Sequence, residues 1–441
     1  MTSLEQLGAY VSEGVRGSIS APLRTALKLH VIDTVAAWVA TAATEEARTL
    51  RRFQNDAKQG ADPPFDLIIN CALTRLSEVD DIHLAAMITP GAIVIPGVLT
   101  IAATQPPNPT ALSEAIIAGY EAMVRLGLAL DGPTILYRGI WPSLIAAPFG
   151  IAAACARLFD LSAAQTANAL TLALTLAAPG VGHHNAPTGS RWFAAGSAAR
   201  NGLLAVQAAR AGLTSDLNLL EGTYFNTVFG ITPAAGALTD GLGARTKLAE
   251  VSCKPWCAAR QTMAAVQAVR ELLDRGIAAA DITAIEVSVP PPFLKMVDHG
   301  IVGGRVARLT SQPYQIALAA LAPDLAFDVA QSRELPTDVL RFMNKVTVCA
   351  DESLLENFPQ QWHARARVRT PQAEHERLVT HVPGDPVRPF DARDLYVKSQ
   401  RLVGSIAQQV ADQSEALLDG KTTPEQLLER IDQWCGRMRN S

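Results

Sequence analysis

From residue 4 to about 259, apolar residues recur at three- and four-residue steps, the spacing that lines one face of an α-helix, with Gly and Pro marking the breaks. Leu23, Leu27, His30, Val31 and Thr34 form one such stripe, and Leu112, Ile116, Ile117, Tyr120 and Met123 form another. Ser162 precedes Gln165 by the capping-box spacing, which predicts a helix start ahead of 167–178. Three stretches run nearly without charge: 85–104, 139–156 and 167–182. Each approaches the roughly 20 residues that span a bilayer. The first holds Pro90, Gly91, Pro96 and Gly97, the second Pro142 and Pro148, and the third is mostly Ala and Thr. Buried core helices are therefore predicted, and no membrane association.

After residue 260 the period changes. Alternating, strand-like stretches lie at 282–289, 345–349, 364–368 and 377–382, with helical patterns between them at 262–273, 311–321 and 332–343. Four short strands among helices predict an antiparallel α+β layer. Helical spacing returns at 392–418 and 424–437, charged on one face. The expected architecture is mainly α. A large helical domain over 1–260 is completed by 391–441, and a smaller α+β lid domain over 261–390 is inserted into it.

Composition narrows the function. The 441 residues are 49% apolar and 18% charged, so burial can offset the ordering entropy and a folded chain is expected. Thirty-eight basic against forty-two acidic residues, with no run of Lys and Arg, argue against a nucleic-acid partner. The six cysteines, at 71, 155, 253, 257, 349 and 435, are too scattered for a disulfide framework, and Cys253 and Cys257 lack a second pair at zinc-finger spacing. No basic stretch leading into an apolar one opens the sequence, so a cytoplasmic protein is expected.

Phosphate-loop, nucleophile-elbow, metalloprotease and dinucleotide motifs are absent from the sequence. Three polar clusters in apolar surroundings remain. Glu78-Val79-Asp80-Asp81-Ile82-His83 places two carboxylates and an imidazole at the edge of a charge-free segment. They either tune a catalytic group or cap a helix beside an exposed histidine. The second cluster runs from Val181 through His183, His184, Asn185 and Gly189 to Arg191 and Trp192, just before a small-residue helix. It either gathers donors around an anion or is a solvated loop. Cys253-Lys254-Pro255-Trp256-Cys257, followed by Arg260, lies at the expected domain boundary. Lys254 is either desolvated enough to lose a proton near neutral pH or a surface lysine with its stem laid along the protein.

The order and spacing of these clusters resemble the MmgE/PrpD family, which includes 2-methylcitrate dehydratase, cis-aconitate decarboxylase and iminodisuccinate epimerase. Asp80-Asp81-Ile82-His83 followed by Thr89-Pro90-Gly91 resembles its Asp-Asp-Thr-His and His-Pro-Gly segments. Gly119-Tyr120-Glu121 and Leu136-Tyr137-Arg138-Gly139 recur in register. Ser190-Arg191-Trp192-Phe193-Ala194-Ala195-Gly196 resembles its Lys-x-Leu-His-x-Gly helix start, Lys254-Pro255-Trp256 its Lys-Pro-Tyr, and Ser311-Gln312-Pro313-Tyr314 the stretch ending in its active-site tyrosine. The resemblance implies a homodimer without a cofactor, acting on small di- or tricarboxylates in an interdomain cleft lined by Asp80, Asp81, His83, Lys254 and Tyr314.

The departures are as informative. Thr89, Trp141 and Ala194 stand where the family has histidines, Arg191 where it has lysine, and Ile82 where it has threonine. Dehydration or decarboxylation needs acids and several cationic anchors, and much of that equipment is missing. Proton removal and return beside a carboxylate fits better, so the expected activity is that of an epimerase most similar to iminodisuccinate epimerase. Lys254 is the expected base, its proton affinity lowered by burial, and Tyr314 or His83 the acid on the opposite face. Arg191 and the helix-start amides near Gly189 would stabilise the charged intermediate. Arg260, His184 and Asn185 would hold the second carboxylate, Asp81 would orient His83 or Lys254, and Thr89 and Trp141 would reshape the substrate pocket. A methylcitrate-type hydro-lyase, a cis-aconitate-type decarboxylase and a non-catalytic interaction protein are the alternatives.

Overall fold

The structure, a computed structural model, describes residues 1–17, 19–57, 62–178, 188–302 and 304–440. The chain divides into two compact units, one chiefly Met1–Val181, Gly189–Ser252 and Asp391–Ser441, the other chiefly Cys253–Phe390.

The first unit is helical. Its helices before the insertion include α1 (Ala21–Ala40), α2 (Pro63–Leu76), α3 (Gly91–Ala102), α4 (Pro109–Ala129), α5 (Pro142–Leu158), α6 (Ala163–Thr175) and α7 (Ser190–Arg210). The starts follow from local chemistry. The Ser20, Asp62, Asn108 and Ser162 side chains each accept a backbone N–H of the first turn, and Ser162 with Gln165 completes a reciprocal box. Every residue of α3 is buried, as is α5 from Pro142 to Arg157. Pro96 and Pro148 sit inside these two helices. Each removes one ladder hydrogen bond, and both helices lie entirely within packed surroundings: α5 against α3, α4 and α7, and α3 against α2.

The charge-free stretches thus include two buried core helices. The third stretch departs from expectation, because α6 ends at Thr175 and Leu176 is 42% exposed. A different helix, 21–43, is the one among the described residues long and apolar enough to cross a membrane, and 78% of its most apolar window is buried in the protein.

The second unit holds α8 (Arg260–Asp274), β1 (Ala284–Val289), α9 (Gln312–Leu321), α10 (Thr337–Met343), β2 (Val346–Ala350), β3 (Ala364–Arg369) and β4 (Glu374–Val379). The sheet order is β2-β1-β3-β4. β3 pairs antiparallel with β1 and β4, but β1 and β2 run parallel, Ile285 opposite Val346. The sheet is therefore mixed, where an antiparallel one was expected. More than fifty residues of mostly helical chain separate β1 from β2, ample for the crossover that a parallel pair requires. Along β3, Ala364, Ala366 and Val368 are buried while Arg365, Arg367 and Arg369 point the other way, towards Asp351, Glu286, Glu374 and Glu376. α8 packs on β3 and β4. The protein is thus mainly α, with a smaller α+β part in its C-terminal region.

The chain then returns to the first unit as α11 (Ala392–Val403), α12 (Ala407–Leu418) and α13 (Pro424–Asn440), and α11 and α12 both pack on α1.

Candidate active site

Between α2 and α3 the chain forms isolated bridges at Ile82, His83 and Ile88 around a turn at 84–87. Ile82 and Ser252 exchange both backbone hydrogen bonds at 2.8 Å, and the His83 N–H donates to the Ile88 carbonyl at 2.8 Å. This short framework fixes the side chains of 80–89.

Asp81, 1% exposed, is the centre of a dry hydrogen-bond node. Its Oδ2 accepts the Tyr120 hydroxyl at 2.7 Å and lies 3.0 Å from His30 Nδ1, and its Oδ1 accepts the Gly91 N–H at 2.8 Å. A Cβ on Gly91 would lie 2.6 Å from that carboxylate and 2.7 Å from the Tyr120 oxygen, so glycine is what lets the start of α3 close on Asp81. One turn along α1 from His30, the buried Asp33 accepts from Lys398 of α11, and Lys398 also donates to the Val79 carbonyl at 3.1 Å. Burial pushes the Asp33 carboxyl up against the opposing pull of the Lys398 ammonium.

His83 is 4% exposed, so the reading with a solvent-exposed imidazole does not hold. Its Nδ1 accepts the Ala86 N–H at 3.1 Å, which leaves the proton of the neutral ring on Nε2, 3.4 Å from Glu250 Oε2. Burial lowers the His83 pKa, although the Glu250 hydrogen bond and charge work against it. Glu250 is held down to about 2, first by its hydrogen bond from His83 and then by Lys247. Below about pH 6.5 the unfolded chain takes up a proton at this position that the native ring resists, so stability falls as pH drops from 7 to 5. Denaturant titrations should show a shallower decline for His83→Gln, the difference being at most about 1.4 kcal/mol per pH unit.

Around Trp141, which precedes α5, two guanidinium groups gather: Arg191 lies 5.3 Å and Arg75 6.0 Å from the ring centre. Arg75 also pairs with Glu78 at 3.1 Å and Asp80 at 3.3 Å, and Glu78 accepts the Trp192 indole N–H at 3.1 Å. Arg191 is the second residue of α7, inside its first turn, and is buried. The Thr89 N–H donates at 3.3 Å to the Oγ of Ser143, two residues after Trp141. The Thr89 hydroxyl and Trp141 indole N–H are buried and have no partner among the described residues. Asp80, Thr89, Trp141 and Arg191 thus belong to one polar neighbourhood of the first unit. His184 and Asn185 lie outside the described residues.

Lys254, Arg260 and Tyr314 belong to the second unit. Lys254 is 3% exposed, which excludes the surface-lysine reading. Its segment is clamped by the 382–388 turn. Cys253 donates to the Gly384 carbonyl at 2.9 Å, and Gly384, at φ +93°, approaches so closely that a Cβ would lie 2.0 Å from the Cys253 oxygen. Arg260 opens α8, and its Nη2 donates to both Asp385 oxygens at 2.8 Å, with the guanidinium 5.6 Å from the Trp362 ring centre. Its Nε and Nη1 are buried without partners among the described residues. Tyr314, capped into α9 by Ser311, donates its hydroxyl to Gln331 Oε1 at 2.9 Å, and burial pushes the phenol up to about 12.

Sequence reasoning did not assign His30, Asp33, Arg75, Tyr120, Glu250, Gln331, Asp385 or Lys398 to these networks. For His30 and Asp33 a signal existed, since they are the polar positions within the otherwise apolar 29–33 of α1.

Residues 5–234 match the MmgE/PrpD N-terminal domain and residues 256–423 the MmgE/PrpD C-terminal domain. No individually curated protein matches the chain. Two adjacent matches in the correct order, together covering most of the sequence, establish that the chain belongs to the MmgE/PrpD family.

Proposed function

We infer that the chain is an enzyme of lyase or isomerase type, since its family comprises dehydratases, decarboxylases and epimerases. We propose that it is a cofactor-independent epimerase that inverts the α-carbon of an amino- or imino-dicarboxylate resembling iminodisuccinate. The observation that supports this reading over a lyase is the chemistry of positions 89, 141 and 194. Thr89, Trp141 and Ala194 supply no group that titrates near neutral pH, so the acids that an elimination needs are missing there.

In the proposed reaction the amine form of Lys254 takes the α-proton. The electron pair of the broken C–H bond moves into the adjacent carboxylate as an aci-carboxylate. The Tyr314 hydroxyl then protonates the opposite face. A phenol at about 12 is still far more acidic than a carbon next to a carboxylate, so this second transfer runs downhill. The Lys254 ammonium and Tyr314 phenolate reset by proton exchange through water. His83 is the alternative acid, but in this structure its Nε2–H is directed at Glu250 and its Nδ1 is occupied by Ala86. Arg191 and the first amides of α7 are the proposed stabilisers of the dianion. Arg260, His184 and Asn185 are proposed to hold the distal carboxylate, Asp80, Thr89 and Trp141 to line and shape the substrate pocket, and Asp81 to orient His83 or Lys254. The proposal includes a homodimer.

The test is isotopic. In deuterated water, each inversion should place one solvent deuteron at the α-carbon, followed by proton NMR and chiral chromatography. A new alkene absorbance without exchange would establish a hydro-lyase, and release of carbon dioxide a decarboxylase. A chain that binds no small dicarboxylate by calorimetry would be an interaction protein.

A further inference from the structure

Asp81 has three hydrogen-bond partners, His30, Tyr120 and the Gly91 N–H, and Asp33 and Lys398 lie near this node. Asp33 follows His30 by one turn of α1, and both side chains are buried at 5% exposure or less. His30 pairs with Asp81 directly. Asp33 does not, but each carboxylate raises the cost of ionising the other across this dry interval. Lys398, 3% exposed, is the ammonium set against them. It donates to Asp33 Oδ1 and to the carbonyl of Val79, the residue before Asp80 and Asp81. The second oxygen of Asp33 is buried with no hydrogen-bond partner among the described residues, which leaves this carboxylate dependent on Lys398 for its charge.

We infer that Lys398 is a positioning residue of the candidate site: its ammonium, carried by the segment that returns after the insertion, keeps Asp33 paired and holds the Val79 carbonyl, and so sets both the ionisation and the placement of Asp81. The inference rests on the proposed membership of Asp81 in the active site. The groups that face Lys398 and Asp81 here are Asp33 and His30 from α1, Tyr120 from α4, and the Gly91 N–H at the start of α3. Without Lys398, two buried carboxylates share one imidazole and one phenol. The pair then takes up a proton more readily than it does with the ammonium in place.

The experiment compares wild type, Lys398→Met, Asp33→Asn and the charge-balanced Asp33→Asn/Lys398→Met. Asp81 is followed by carbon NMR of protein labelled at aspartate carboxyls, with its signal assigned through Asp81→Asn. In parallel, kcat/KM for α-deuteron exchange is recorded from pH 5 to 9. Lys398→Met should move the Asp81 titration and the acidic limb of kcat/KM upward by a unit or more. Asp33→Asn, which keeps the bond from Lys398 to Val79, should move the Asp81 titration downward. The double variant should return both towards wild type although the ammonium is gone, which loss of packing alone would not do. An Asp81 titration unmoved in Asp33→Asn, or not recovered in the double variant, overturns the inference. If wild type exchanges no substrate, the functional proposal fails, while the carboxylate titrations still decide the role of Lys398. Asp33→Asn provides that decision even if Lys398→Met does not fold.

Discussion

Lys254→Met enzyme should retain its fold and lose α-deuteron exchange by about a thousandfold, the scale on which a positioned proton-transfer group acts. Lys254 is buried, and methionine keeps most of its stem volume, so packing should survive and circular dichroism should match wild type. The two substrate enantiomers present their α-protons to opposite faces. Exchange should therefore fail first for the enantiomer whose proton faces Lys254, while Tyr314→Phe should impair the other. Lys254→Arg should not restore activity, because a guanidinium remains protonated and offers no lone pair. A Lys254→Met enzyme that exchanges both enantiomers at the wild-type rate would remove Lys254 from the mechanism and leave the family assignment untouched.

Asp385→Ala should destabilise the second unit by about 3–5 kcal/mol, because it leaves a buried guanidinium without its counter-charge. Asp385 accepts from Arg260 Nη2 through both oxygens and from the Val382 N–H at 2.8 Å, so one truncation strips the partner from three hydrogen bonds. Gly384 is the next residue, and its close approach to Cys253 depends on the same turn. The loss should appear in hydrogen exchange as deprotection of 253–260 together with 382–388. Arg260→Met/Asp385→Leu, which removes both charges, should recover much of the stability, since an apolar pair of similar size costs far less than one unpaired ion. If Asp385→Ala unfolds at the wild-type denaturant concentration, the pair contributes little.

The helices were legible because burial imposes a period on the sequence. The α4 stripe of Leu112, Ile116, Ile117, Tyr120 and Met123 is buried as its spacing demands. The end of α6 was less so. An Ala- and Thr-rich run looks equally apolar whether it is inside a helix or past its last turn. Strand positions followed from alternation, but alternation carries no strand direction, and the parallel β1–β2 pair depends on how the chain crosses between them. The site divides in the same way. Asp81, His83, Arg191, Lys254 and Tyr314 stand in recognisable local motifs. Tyr120 and His30 read as members of apolar stripes, and their polar ends were assigned no partner. The partner of Asp33 lies 365 residues further along the chain, at a distance no spacing rule reaches.

That separation also sets a clock on biosynthesis. At about 5–20 residues per second a ribosome takes roughly 20–70 s to travel from Asp33 to Lys398. Throughout that interval α1 carries a carboxylate destined for the interior and lacks the helices α11 and α12 that cover it. The entire inserted unit is made while the first is still incomplete. The packing of α1 against α11 and α12 can therefore form only after residues 392–418 have been made.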